Sequence, residues 1–146
     1  MGMTTNMARP WGKASIVVAI LALAWIPFMC LWMIFEDFTP IQVIVGEQSM
    51  ACTHLKVEYE IPLEDIASVE IVEDLPMWHT KKYGTATDTL EKGRFASVEE
   101  GNFYEFLNPE NGCFLRIEAG EEVYYISGVD DAATMQVYEK LRDGLR

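Results

Sequence analysis

The chain is poor in the side chains most often used for chemistry. Among 146 residues there are two histidines, His54 and His79, and three cysteines, Cys30, Cys52 and Cys113. No H-x-x-x-H, C-x-x-C or G-x-S-x-G spacing occurs, and no Gly-rich loop of the phosphate-cradling kind. Motif-encoded zinc cages, hydrolase elbows and nucleotide sites are therefore missing. Basic residues are scarce as well: 11 Lys plus Arg stand against 23 Asp plus Glu, a formal net charge of −12. That excludes a general nucleic-acid binder, which needs cations to neutralise phosphates, and the length excludes a multidomain enzyme. Acid is itself absent from one region. The first carboxylate is Glu36, so residues 1–35 carry only Arg9 and Lys13, a charge of +2, and the rest of the chain carries −14.

What fills the acid-free region is apolar. Ser15 to Phe35 is 21 residues without an ionisable side chain, and at about 1.5 Å per residue a helix of that length matches the ~30 Å hydrocarbon core of a bilayer. The run is longer than a signal-peptide core and ends in the bulky Leu31 to Phe35, so no cleavage site is expected. Pro27, Phe28 and Met29 before Cys30 lack the small residues of a lipid-attachment site, which leaves Cys30 as apolar filler. The expected organisation is a short cytoplasmic N-terminus (1–14), a transmembrane helix (15–35), a linker (36–40) and a soluble domain (41–146). Arg9 and Lys13 before the span put the N-terminus in the cytoplasm by the positive-inside rule, and the acidic domain outside. The lipid bilayer is thus the first expected partner, through Ser15 to Phe35 of a single-pass membrane protein.

The soluble part alternates in the manner of β-strands. Strands are expected at Ile41–Val45, Met50–Glu60 (irregular near His54), Ile66–Val72, Arg94–Val98, Phe103–Leu107, Cys113–Glu118 and Glu121–Ile126. Ala119 and Gly120 mark a hairpin between the last two. Cys52 and Cys113 lie on different predicted strands and are expected to be separate buried thiols rather than a disulfide. The period then changes: Ala132, Met135, Tyr138, Leu141 and Leu145 form one stripe of a helix over 130–145. Ser127 and Asp130 have the form of a capping box, with Lys140, Arg142 and Arg146 near the helix C-terminus.

In this order the motifs resemble those of small bacterial pleckstrin-homology-like (PH-like) domains with a membrane anchor. The matching residues are Ile61-Pro62-Leu63 with Asp65-Ile66 and Val69, then Tyr83-Gly84-Thr85, then Gly93-Arg94-Phe95, and Tyr124-Tyr125-Ile126-Ser127 running into the helix. The resemblance implies a mainly-β domain of about seven strands in a partly open barrel or orthogonal sandwich, capped by the C-terminal helix. It implies a binding scaffold and little about activity, since a fold does not fix a function. A single hydrophobic span is a departure, because relatives often have two.

No catalytic residues, metal ligands or cofactors are indicated. Cys52 and His54 would share a strand face, but a half-buried thiol beside a turn histidine is the plainer reading. Glu99-Glu100, Glu121-Glu122 and Asp130-Asp131 read as solvated turns and a helix start. Phosphoinositide binding needs bases in the first strand connection, where the chain has Gly46-Glu47-Gln48-Ser49, so it is rejected. The unusual segment is Pro76 to Arg94, which holds Lys81, Lys82, Lys92 and Arg94 against Asp88 and Glu91, a local charge of +2. Read as one long loop, it offers Met77, Trp78, Lys81, Lys82, Tyr83, Lys92 and Arg94 as a surface for a membrane protein, a peptide or lipid headgroups. The competing reading folds Trp78 or Tyr83 back onto the core and leaves the lysines as solubilising groups. An interaction module is the first functional expectation. A structural subunit of a membrane complex, packed through Ala19, Ala22 and Ala24, is the second.

Overall fold

A run of apolar side chains with no polar face has no reason to stop at the edges of a 21-residue window, and in the computed structural model, which describes residues 10–144, it does not. Helix α1 spans Pro10–Phe38 and continues through Pro27. It takes in Glu36, Asp37 and Phe38, which were expected to be linker. Its apolar residues from Val17 to Phe35 are exposed around the helix, and it is long and apolar enough to cross a membrane. Arg9, Leu145 and Arg146 lie outside the described residues.

Thr39 begins a second compact unit. It holds nine strands among the described residues, in two sheets. Strands β1 (Gln42–Val45), β2 (Ser49–His54) and β3 (Val57–Pro62) form an antiparallel three-stranded sheet. The segment expected as one strand, Met50–Glu60, is thus a hairpin. Leu55 adopts a left-handed φ of 54° and reverses the chain without the glycine or asparagine that normally signals such a turn. A 3₁₀ turn, Leu63–Asp65, then leads into β4 (Ile66–Val72).

The second sheet has six strands: β4, β5 (Thr80–Ala86), β6 (Glu91–Ser97), β7 (Gly101–Leu107), β8 (Phe114–Ala119) and β9 (Glu122–Ile126), in the order β4-β8-β9-β7-β6-β5. The β8–β9 hairpin turns at Gly120, with φ of 59°, and β9 pairs in parallel with β7. The domain is therefore a two-sheet arrangement with no closed barrel, and it has more than the seven strands expected. One of the two additional strands comes from the split of Met50–Glu60 into β2 and β3, and the other is β5, which lies inside the segment read as a loop. Its side chains are almost all exposed, so it carries no apolar alternation to betray it. Gly84 and Gly93 face each other in mid-strand with φ of 129° and 132°.

Alternation along strands β6 to β9 buries both faces of the six-stranded sheet. One face supplies Phe106, Leu115, Ile117 and Ile126 to the main core, which also holds Met50, Cys52 and Ile61 from the smaller sheet and Val137 and Leu141 from helix α2 (Asp131–Gly144). The other face carries Phe95, Phe103, Leu107, Phe114 and Tyr125. A short strap, residues 73–79, connects β4 at one edge to β5 at the other, and its Leu75 packs on this second cluster. Six strands at ~4.8 Å spacing are ~24 Å across, and eight extended residue steps reach about 27 Å. A strap this short crosses the face nearly straight, or the sheet curls beneath it.

Helix α2 buries Thr134, Val137 and Leu141 with Tyr138 half-buried, a stripe displaced from the expected one, since Ala132 and Met135 are exposed. The anchor that sets this rotation is polar: Thr134 Oγ1 accepts from the Gly128 N–H at 2.9 Å and donates to the Asp130 carbonyl at 2.8 Å. The expected capping box is replaced by a simple cap in which Asp130 Oδ1 accepts from the Ala133 N–H at 2.7 Å. Ser127 instead accepts from the Asn108 N–H at 2.9 Å.

Candidate functional site: an exposed sheet edge above a buried carboxylate pair

The end of the strap and the strand that follows it bring apolar and basic side chains together into solvent. Pro76 is buried, while Met77 is 65% and Trp78 82% exposed. Trp78 has a left-handed φ of 58°, uncommon for a bulky side chain. This turns the indole out to solvent, so neither Trp78 nor Tyr83, itself 82% exposed, caps the core. Lys81 and Lys82 are exposed beside them, with a bulge between Lys81 and Tyr83. β5 is the outermost strand of its sheet, with no strand beyond it among the described residues, the position at which a further strand can be added.

The seven sequence-predicted binding residues do not all meet. Met77, Trp78, Lys81, Lys82 and Tyr83 share the edge. Arg94 stands opposite Tyr83 in the ladder, and its guanidinium lies 5.7 Å from the Tyr104 ring centroid. That ring stacks in turn on Tyr124 at 5.2 Å, so the edge continues inward as a cross-strand row of cation–π and aromatic contacts. Lys92 is elsewhere: it is buried and its ammonium donates to His54 Nδ1 at 2.9 Å. A lysine placed on the core-facing side of β6 cannot contribute to an exposed patch.

Beneath the edge lies a cluster that sequence spacing does not announce. His79 Nε2 is 3.8 Å from both Glu91 Oε2 and Glu105 Oε1. Glu105 is fully buried, and both its oxygens and Glu91 Oε2 have no hydrogen-bond partner among the described residues. The other ring nitrogen, His79 Nδ1, lies 3.0 Å from the Pro76 carbonyl oxygen. A carbonyl can only accept, so Nδ1 carries the proton. The imidazole also stands edge-on to Phe95 and Phe103, at 5.8 and 6.5 Å between ring centroids. Burial first, and then the charge of the neighbouring Glu91, hold the Glu105 carboxyl well above the usual carboxylate range.

The three cysteines are free thiols. Cys52 is buried in the main core, which pushes its thiol up to about 12, so a thiolate role with His54 has no support. The sequence matches no family model, and comparison with characterised proteins and with solved structures finds no significant match.

Proposed function

We propose that this chain is a membrane-anchored, non-catalytic interaction module of PH-like type, with the outermost strand and the turn before it as its binding surface. The observation that carries this reading is the projection of Met77, Trp78 and Tyr83 into solvent beside Lys81 and Lys82 at the outermost strand of the six-stranded sheet. Large apolar side chains grouped at an exposed position mark interaction sites, and aromatics with cations suit both a peptide strand and a headgroup layer. A PH-like assignment is supported by two sheets packed with a terminal helix. The parallel β7–β9 pair is a departure from the expected partly open barrel. In this reading α1 crosses the bilayer with its N-terminus in the cytoplasm, and a topology reporter fused at the C-terminus tests that orientation.

The binding surface is tested in the full chain reconstituted into vesicles. Replacing Trp78, Lys81 and Lys82 together by alanine is expected to abolish photo-cross-linking from position Tyr83 to neighbouring membrane proteins or headgroups. Unchanged cross-linking would remove the edge from the proposal.

A further inference from the structure

We propose that His79, Glu91 and Glu105 form a binding site for a single divalent transition-metal ion of the zinc type, which fastens the end of the strap to the six-stranded sheet. One ligand atom from each residue lies within 4.8 Å of the others. The 3.8 Å separations are too long for hydrogen bonds. They are a few tenths of an ångström wider than two ligands on one zinc at about 2.0–2.2 Å each. A small rotation of the carboxylates closes that difference.

The independent observation is the polar accounting. Glu105 is fully buried with two oxygens that meet no donor among the described residues, and with Nδ1–H on the Pro76 carbonyl the neutral imidazole turns the lone pair of Nε2 toward it. Lone pairs therefore converge on one point inside an aromatic cluster, an arrangement that desolvation opposes strongly unless a positive charge sits there. Lys92 cannot supply that charge, because it faces the main core beside His54. Holding Nδ1–H on a backbone carbonyl is also what metal-bound histidines usually do, since it fixes the tautomer and aims Nε2. One imidazole with carboxylate oxygens suits zinc and its neighbours better than calcium or magnesium, which favour all-oxygen shells. Both free oxygens of Glu105 allow it to bind through two atoms, which completes four-coordination without any further residue. The ligands come from the strap's last residue, from β6 and from β7. An ion there ties the Met77–Trp78 turn to the sheet, whatever that turn binds.

The test uses the full chain in detergent, stripped with chelator and carrying Cys30→Ser and Cys113→Ser so that accessible thiols cannot contribute. Titration with Zn²⁺, and with Co²⁺ as a spectroscopic probe, is expected to give one ion per chain, a tetrahedral-type Co²⁺ spectrum and a raised Tm. Glu105→Gln, which keeps the shape and removes the charge, is expected to fold, to weaken binding at least about tenfold and to abolish the Tm rise. His79→Gln is expected to behave likewise. Absence of stoichiometric binding in the parent chain would overturn the site, as would undiminished binding in Glu105→Gln. A parent chain that binds nothing, together with a Glu105→Gln variant that melts higher, would identify the cluster as a proton-sharing carboxyl pair and equally overturn it.

Discussion

The ammonium of Lys92 donates to Nδ1 of His54 at 2.9 Å, and Nε2 of the same ring lies 3.0 Å from the Thr39 carbonyl oxygen. The geometry assigns the tautomer: Nδ1 accepts, so Nε2 carries the proton and donates to Thr39. One buried imidazole thus links β6 to the chain just before β1. Removing the ring by His54→Ala takes an acceptor from a buried cation and a donor from a carbonyl. We expect a loss of about 1–3 kcal/mol, seen as a lower Tm of the detergent-solubilised chain. The double variant His54→Leu with Lys92→Met is expected to recover part of the loss, because the buried ammonium goes together with its imidazole acceptor while the Thr39 carbonyl still lacks its donor. A double variant no more stable than His54→Ala would show that packing, and not the polar pair, sets the cost.

Gly84 and Gly93 are the tightest approach between β5 and β6. A Cβ on Gly84 would lie 2.0 Å from the Lys92 carbonyl oxygen, and one on Gly93 2.1 Å from that of Tyr83. Both residues also have positive φ, so an alanine meets backbone strain and a backbone collision together. Either Gly→Ala change is expected to cost about 2–4 kcal/mol or to detach β5. Gly101→Ala, where φ is 75° but the space is open, is expected to cost about 1 kcal/mol. Amide exchange of β5 relative to β7 separates strand detachment from a general loss of stability, and equal melting of all three variants would contradict the close approach.

These glycines also show why part of the fold was hidden. The span, the β8–β9 hairpin and the terminal helix could be read because each repeats a periodic signal over many residues. Strand β5 could not, since an exposed edge has no buried face to alternate with, and Lys81-Lys82 with Gly84 looks like a loop. Leu55 turns the β2–β3 hairpin with a residue that carries no turn signal. The exposed half of the candidate edge was legible in Met77, Trp78, Lys81, Lys82 and Tyr83, whereas Lys92 was misplaced by reading charge without strand direction. The His79–Glu91–Glu105 cluster was invisible for a different reason. Its members belong to three segments, and only the pairing of β6 with β7 and the path of the strap bring them together.

The three thiols sit in different surroundings and should react accordingly. Cys52 is buried with its thiol pushed up to about 12, whereas Cys113 is only half-buried beside Asp131, whose Oδ1 its N–H and thiol both reach, at 3.2 and 3.6 Å. In a Cys30→Ser background, a maleimide at pH 7.5 is expected to modify Cys113 at least about a hundredfold faster than Cys52. Denaturant is expected to erase the difference. Comparable native-state rates, followed by mass spectrometry, would place Cys52 outside the core.

Arg116 organises the acid response of the second face. Its Nε and Nη2 donate to both oxygens of Glu100 at 3.0 and 3.2 Å, Nη1 donates to Glu118 at 2.7 Å, and the Tyr125 hydroxyl adds a bond to Glu100 at 3.1 Å. The hydrogen bonds from Arg116 chiefly, and that of Tyr125 secondarily, hold the Glu100 carboxyl below its ordinary value of 4.5. A carboxyl depressed by folding contributes its stability above the unfolded-state pKa and loses it as pH falls through the folded one. The Tm of the parent chain is therefore expected to exceed that of Arg116→Met by a constant margin above about pH 5, where Glu100 is ionised in both folded and unfolded chains. Partial solvent access limits the Glu100 pair to about 1 kcal/mol. Below pH 4.5 the margin is expected to shrink as Glu100 and Glu118, which Arg116 also holds low, become protonated and cease to need the guanidinium. Melting curves of both chains from pH 7 to pH 3 measure this directly, and a margin that stayed constant down to pH 3 would mean that Arg116 acts through packing of its stem on Tyr125 and not through its charge.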